Sequence, residues 1–392
     1  MNATDPSRLY SAAQAVRSGG REPVRQALLA ARQRTLACAD AYAASLARSN
    51  MRVPCVEGLN PPLWEQGHIA WFQEYWIARN QQRALGVRCD PDHVRAASVM
   101  AQADSWYDSS RVAHATRWDL PVPDGAGTRA YLAETLRLTM ALLDQLPADA
   151  GDDDLYFFRL GALHEDMHAE ASAYMARALG IALPPPAADD GPASGAPGSL
   201  TIPAQRFRVG YAGPGFAFDN ELDAHDVWLD AFEIDAVPVT GRRFHAFVDD
   251  DGYRQRDWWT REGWQWLQQA TVSPPLEGDA PAVHVNAHEA QAWCRWAGRR
   301  LPTEAQWECA AITHPGFAWG RVWEWTATTF EPFAGFVPHP YRDYSVPWFS
   351  SRRVLKGACA ATSPSIRHPR YRNFFEPHRR DIFAGFRSCA CP

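Results

Sequence analysis

The sequence has no apolar run approaching the ~20 residues needed to span a bilayer, so nothing in it reads as a membrane segment. Its opening stretch, "MNATDPSRLYSAAQAVRSGG", lacks the apolar core of a secretory signal. Export is therefore not expected, and the eight cysteines are expected as reduced thiols of a cytoplasmic protein. No C-x-x-C pair occurs. Cys389 and Cys391 form a C-x-C near the C-terminus, which reads as incidental against a metal or redox alternative. No Lys/Arg-rich run occurs either, and the net charge is −6, which excludes a nucleic-acid surface as the main business of the chain. Internal repeats are absent. What is present is ordinary for a soluble globular protein: 46% hydrophobic and 21% charged residues over 392 positions, enough for two cores. The 17 tryptophans, mostly after position 225, call for aromatic cores or aromatic-lined clefts.

The sharpest break is "PPPAADDGPASGAPGS", residues 184–199, which is rich in Pro, Gly, Ala and Ser and reads as a linker. It divides the chain into residues 1–183 and 200–392. The first part reads as four amphipathic helices: 21–49, 61–85 with Pro at its start, 128–146 with Thr128 as N-cap, and 152–180 with acids in its first turn and Gly180 at its end. Four helices of this length predict a four-helix bundle. The irregular stretch "ADSWYDSSRVAHATRWDLPVPDG" between the second and third has the length of a functional loop. After the linker, short apolar pieces such as "FRVGYAG", "VWLDAFEID" and "RVLKGACA" alternate with turn residues. The helices "NAHEAQAWCRWAG" and "LPTEAQWECAA" stand among them. This predicts an α+β domain with much irregular structure, making the protein a multidomain α and α+β chain.

The motif that carries chemistry is "LGALHEDMHAEA", residues 160–171, with His164 and His168 four apart and so on one helix face. A bare pair of this kind can be a solvated patch. Read as H-E-x-x-H it would make Glu165 the general base of a zinc protease, but no third ligand follows at the spacing those enzymes use. A better third partner is His68 in "LWEQGHIAWFQEYW", on the aromatic, inward stripe of the second helix with Trp64, Trp71, Phe72 and Tyr75. Alone it would read as a core histidine. Together, three neutral imidazoles from two helices leave coordination positions open, which suits non-haem Fe(II) or a catalytic zinc. Glu170 lies about 200° around the helix from His168, a position for a supporting group and not a ligand.

With these residues in hand, the chain resembles the ergothioneine-type sulfoxide synthases. "GHIAWFQEYW" and "HEDMHAEA" resemble their DinB-like bundle. "FAFDNE", "GRRLPTEAQWECAA", "VWEWT", "RVLKGA" and "RNFFEPHRRDIFAGFR" resemble the formylglycine-generating-enzyme-like, C-type-lectin-like domain that follows it there. The resemblance covers nearly the whole chain. It implies Fe(II) held by His68, His164 and His168, and dioxygen-dependent joining of a chalcogen donor to imidazole C2 of hercynine. It also implies Tyr341 of "YRDYS" as the tyrosine acting at the iron, with Tyr344, Asn373, Phe374 and Met167 on the hercynine side. A trimethylammonium cannot donate a hydrogen bond, so aromatic faces are its natural partners.

The departures are informative. Relatives that use γ-glutamylcysteine hold it with two arginines of the long loop, an Asp and a further Arg; here these positions read His114, Arg117, Phe375 and Arg379. Losing an ammonium-binding Asp and a carboxylate-binding Arg disfavours a zwitterionic dipeptide. Met167 replaces a glutamine, the loop before "VWEWT" is short, and neither the structural calcium nor the catalytic cysteine pair of the formylglycine-generating enzymes is expected. The selenoneine synthases, a sibling group, resemble the chain in "DSSRVAHATRWDLP" and "HEDMHAEA". They use a selenosugar, which implies selenoglucose as donor. A thiol donor such as γ-glutamylcysteine, cysteine or thioglucose is the alternative, and a non-catalytic betaine-binding protein a more distant one.

Overall fold

A computed structural model describes residues 10–184 and 197–391, so most of the expected linker lies outside the described residues. The first half is helical: α1 (Ser11–Ser18), α2 (Arg21–Leu46), α3 (Pro62–Gln73), α4 (Ala103–Tyr107), α5 (Gly125–Gln145) and α6 (Asp152–Ala178). The long helices pack α2 on α6 and α3 on α5, with α3 also meeting α6. The apolar stripes of the sequence become their shared core, which includes Leu28, Phe72, Leu132 and Phe157. α6 carries three acids in its first turn and closes through Gly180 at φ +68°, where the Ile181 amide donates to the Ala176 carbonyl at 2.8 Å.

Three expectations shift. The helix predicted over 61–85 is regular only to Gln73; it passes through a π turn over Glu74–Ala78 and a separate 3-10 segment over Arg83–Arg88. The N-cap of α5 is Asp124, whose carboxylate accepts the Gly127 amide at 2.8 Å, and Thr128 is buried one turn inside. The "GAG" run therefore continues the helix backwards, against its weak propensity. The long loop is not structureless: it contains α4 and a 3-10 turn over His114–Trp118.

The second half has α7 (Gly241–Asp249), α8 (Arg261–Gln269), α9 (Ala287–Trp296) and α10 (Glu304–Thr313) around short strands. The strands are β1 (Ser199–Ile202), β2 (Gln205–Val209), β3 (His225–Leu229), β4 (Phe232–Asp235), β5 (Arg299–Arg300), β6 (Trp323–Thr329), β7 (Arg353–Gly357), β8 (Asn373–Phe375), β9 (Ala384–Gly385) and β10 (Cys389–Ala390). They form two four-stranded sheets, β1-β4-β10-β5 and β8-β7-β6-β9, and the hairpin β2-β3. β7 pairs with both β6 and β8, with Val354 opposite Phe374, so the aromatic run of β8 is held at a sheet edge. Trp259, Trp307, Trp319, Trp323 and Trp325 are buried, which answers the abundance of tryptophan.

The halves are not independent. Arg17 of α1 makes a two-pronged ion pair with Glu221 of the second half, at 2.6 and 2.8 Å, both fully buried. Glu170 of α6 accepts from the Trp323 indole and the Thr362 hydroxyl, each at 2.6 Å. One continuous core runs through both halves. None of the described helices is long and apolar enough to cross a membrane.

Candidate metal centre and its cleft

α3 and α6 bring His68, His164 and His168 together, with one ring nitrogen from each within 4.8 Å of the others. Each is set by a different neighbour. His68 Nδ1 donates to the Tyr107 carbonyl at 2.7 Å, which leaves Nε2 for the centre. Gly67 makes this possible: a Cβ there would stand 2.2 Å from the Tyr107 ring, so only glycine lets α4 pack so closely. His164 lies flat on Phe72, ring centroids 3.4 Å apart. His168 Nδ1 donates to the Glu65 carboxylate at 2.5 Å, and its Nε2 faces His164 Nε2 at 3.1 Å.

Burial, reinforced by the neighbouring His168, pushes His68 down to about 3; burial with the other two rings pushes His164 well below its ordinary value. Burial works to raise the Glu65 carboxyl, but His168, His68 and Arg117 outweigh it and hold it below the ordinary range. Imidazole nitrogens converging on one point, two of the rings held neutral by burial and the third backed by a carboxylate, fit a divalent transition metal. Among the described residues no other group of three such side chains converges in this way. Glu165 is excluded as a base of the H-E-x-x-H kind: it is buried against Arg32 of α2, 2.7 Å from Nε.

The centre opens on a cleft of about 520 Å³ between the halves. His164 and His168 lie at its inner end, followed by Met167, Glu170 and Tyr174 of α6 and by Tyr341, Tyr344, Trp348, Asn373, Phe374 and Phe375 of the second half. The Tyr341 ring is 5.9 Å from that of His164 and 4.8 Å from that of Phe72, and burial raises its phenol well above the ordinary value. Tyr341 also walls a smaller pocket that reaches His68 from the other side. Met167 accepts a contact from the Tyr371 hydroxyl at 3.4 Å. Burial raises the carboxyl of Glu170 against the pull of its bonds to Thr362 and Trp323, and burial raises that of Asp343 at the rim.

Six of the residues singled out beyond the triad thus share this cleft: Tyr341, Tyr344, Asn373, Phe374, Phe375 and Met167. Three do not line it. His114 donates to the Leu59 carbonyl and Arg117 to the Asn60 side chain, each at 2.8 Å, because the 3-10 turn that carries them docks on residues 53–60. Arg379 is clamped by Asp381 at 2.6 and 2.5 Å and sits behind Phe375, 5.2 Å from its ring. Glu170, Trp323, Tyr371, Tyr174, Asp343 and Trp348 line the cleft without having been singled out for it. Glu170 alone had a signal, its place two residues past His168. The pair Cys389 and Cys391 splits into one buried and one exposed thiol in and after β10, and all eight cysteines are unpaired.

Residues 186–320 and 316–390 match the family described as Sulfatase-modifying factor enzyme 1-like domain. The chain is 31% identical to the Hercynine oxygenase of Mycolicibacterium smegmatis over 94% of this chain and 98% of that protein. It is likewise 31% identical to the Hercynine oxygenase of Mycobacterium tuberculosis, over 84% and 90%. The Formylglycine-generating enzyme of Streptomyces coelicolor is 32% identical over 36% of this chain and 58% of its own length. Identity sustained through both halves, together with a three-histidine centre where they meet, shows that the chain belongs to the hercynine oxygenase family, the ergothioneine-type sulfoxide synthases.

Proposed function

We propose that the protein is a cytoplasmic, non-haem Fe(II), dioxygen-dependent enzyme that joins a selenium donor to imidazole C2 of hercynine, in selenoneine biosynthesis, with selenoglucose as the donor. In this reading residues 1–183 are a DinB-like bundle supplying the metal ligands and 200–392 a formylglycine-generating-enzyme-like domain supplying the substrate wall. Unpaired cysteines accord with a reducing compartment.

One observation carries the choice of donor. None of the described residues lining the cleft is Arg or Lys, whereas Glu170 and Asp343 both face it. A dipeptide would add two carboxylates to the one hercynine already carries, against a wall with no countercharge, and each added desolvation lacks compensation. A neutral sugar needs only hydroxyl partners and a stacking surface. Ser109, Ser110, Asp343 and Asn373 offer the first, and Trp348 and Phe375 the second. Hercynine suits the inner end: its trimethylammonium can rest on the faces of Trp323, Tyr344 and Tyr371 near the Glu170 carboxylate.

His68, His164 and His168 would hold the iron, which when bound supplies the redox chemistry with dioxygen. Tyr341, half-buried and with its phenol neutral, stands at the inner end of the cleft and can deliver a proton there. Tyr344 and Phe374 pack on one another at 5.6 Å and shape the wall that excludes water.

The test is anaerobic incubation with hercynine and each of selenoglucose, thioglucose, cysteine and γ-glutamylcysteine, admission of air, and mass spectrometry of the product. The selenosugar adduct should dominate, with the thiosugar second because a thiol is the weaker nucleophile. A preference for γ-glutamylcysteine would return the enzyme to ergothioneine synthesis and leave the iron site and hercynine standing.

A further inference from the structure

The 3-10 turn His114–Trp118 is tied to a metal ligand by an unbroken series of hydrogen bonds, and we infer that Arg117 is a positioning residue of the metal centre, acting on His168 through Asn60 and Glu65. This rests on the three histidines being a metal centre and is independent of the donor's identity.

The turn grips residues 53–60 at three places. His114 Nε2 donates to the Leu59 carbonyl, Arg117 Nη1 to Asn60 Oδ1 and Trp118 Nε1 to the Val53 carbonyl, each at 2.8 Å. Asn60 Nδ2 then donates to Glu65 Oε2 at 2.9 Å, and Glu65 Oε1 accepts from His168 Nδ1 at 2.5 Å. The order of atoms matters. A guanidinium can only donate, so it holds the oxygen of the Asn60 amide toward itself and the nitrogen toward Glu65. Glu65 thereby receives a donor on one oxygen and keeps the other for His168. Without Arg117 the amide is free to turn its oxygen to the carboxylate, which repels it and loosens the group that orients the ligand.

A second path leads to the same centre. The Arg117 guanidinium lies 4.0 Å from the centroid of Trp64, and Trp64 stacks on His68 at 5.2 Å with 9° between planes. One side chain thus backs two of the three ligands, through a carboxylate on one side and an indole on the other. Its other nitrogens are little engaged: Nη2 reaches the Val112 carbonyl at 3.4 Å, and Nε has no partner among the described residues. The bond to Asn60 and the face of Trp64 are what set its orientation.

The measurement is metal affinity, not turnover. Apo-enzyme is titrated with Co(II), read by its visible spectrum, and with Fe(II) under argon against a chromophoric chelator. Arg117→Met should weaken both metals about 3–10-fold, a step below the ~10–100-fold typical when a ligand's direct partner is lost, as in Glu65→Gln. The Co(II) spectrum should change shape, the donor KM should stay put, and Arg117→Lys, which keeps a donor for Asn60, should restore most of the affinity. Asn60→Ser cuts the series at its middle and should reproduce Arg117→Met; it serves if that variant does not fold. Unaltered Co(II) affinity and spectrum in both variants would overturn the inference. So would a rise in donor KM with metal binding unmoved, which would return Arg117 to the donor site. His164→Ala guards the premise: if it too left Co(II) binding intact, the metal centre itself would be wrong.

Discussion

The inner and outer ends of the cleft solve opposite problems. At the inner end every group that orients the centre is itself held. His68 is fixed by a carbonyl, His168 by a carboxylate that has its own donor, and His164 by the face of Phe72. At the outer end no cation faces the cleft among the described residues, and the arginines behind its wall are spent elsewhere. Arg379 is clamped by Asp381, Arg117 faces Asn60, and Arg352 is paired with Glu376 while lying 4.7 Å over Trp348. A preorganised, desolvated end is suited to holding one metal in one geometry. A smooth aromatic end with acids and hydroxyls selects by what it fails to neutralise. On the proposed reading, donor specificity follows from the absence of cations from the wall as much as from any new contact.

The largest effect tests the inner end. His68→Ala, His164→Ala and His168→Ala should each reduce bound iron by more than the ~10–100-fold that an outer partner is worth, with the fold intact by circular dichroism. Full iron content in the His68 variant would break the triad. Next comes the junction of the two ends. Tyr341→Phe keeps the ring and removes the hydroxyl, so formation of the C2-substituted product should fall by roughly 10²–10⁴ while hercynine binding is kept, compared by single-turnover assay and by calorimetry. Unchanged product would make Tyr341 a packing residue and move the role to Tyr344, whose hydroxyl is 2.8 Å from that of Tyr371.

The outer end can be rewritten. Phe375→Asp supplies a partner for a dipeptide ammonium, and Asp381→Asn releases Arg379 toward a carboxylate. Each charge-assisted contact is worth ~1.5–3 kcal/mol, so the double variant should raise kcat/KM for γ-glutamylcysteine by roughly 10²–10⁴ and lower that for the sugar. No gain would mean that these positions do not touch the donor. The smallest effect concerns the seam behind the cleft, where Tyr156 of α6 meets His339 Nδ1 at 3.1 Å. Burial lowers His339 to about 4. The unfolded chain takes up this proton near pH 6.5 and the folded one only near 4, so its contribution is present above 6.5 and lost as pH falls through that window. His339→Gln should flatten the decline of the thermal midpoint between pH 6.5 and 4 by about 2 °C, measured by scanning calorimetry.

Much of this was legible in the sequence because it is written in local spacing. His164 and His168 fall on one face at any four-residue interval of a helix, and the aromatic stripe around His68 marks that residue as inward. The break at residue 184 and the change of texture after it are compositional. Helices α7 and α8 were within reach too, since Thr240 and Thr260 cap them as the residue type predicts. They were hidden by nine-residue lengths and dense aromatics.

Direction in space was not legible. Whether Glu165 faced the metal or Arg32, whether Arg117 reached into the cleft or back to Asn60, and whether Arg379 was free or clamped depend on which partner lies nearest after packing. Those partners are 133, 57 and 2 residues away in sequence. Local sequence determined which side chains share a helix face. Only the tertiary structure decided where each charge was neutralised, because a buried ion goes to whichever counter-group compensates its desolvation, and that group can come from anywhere in the chain.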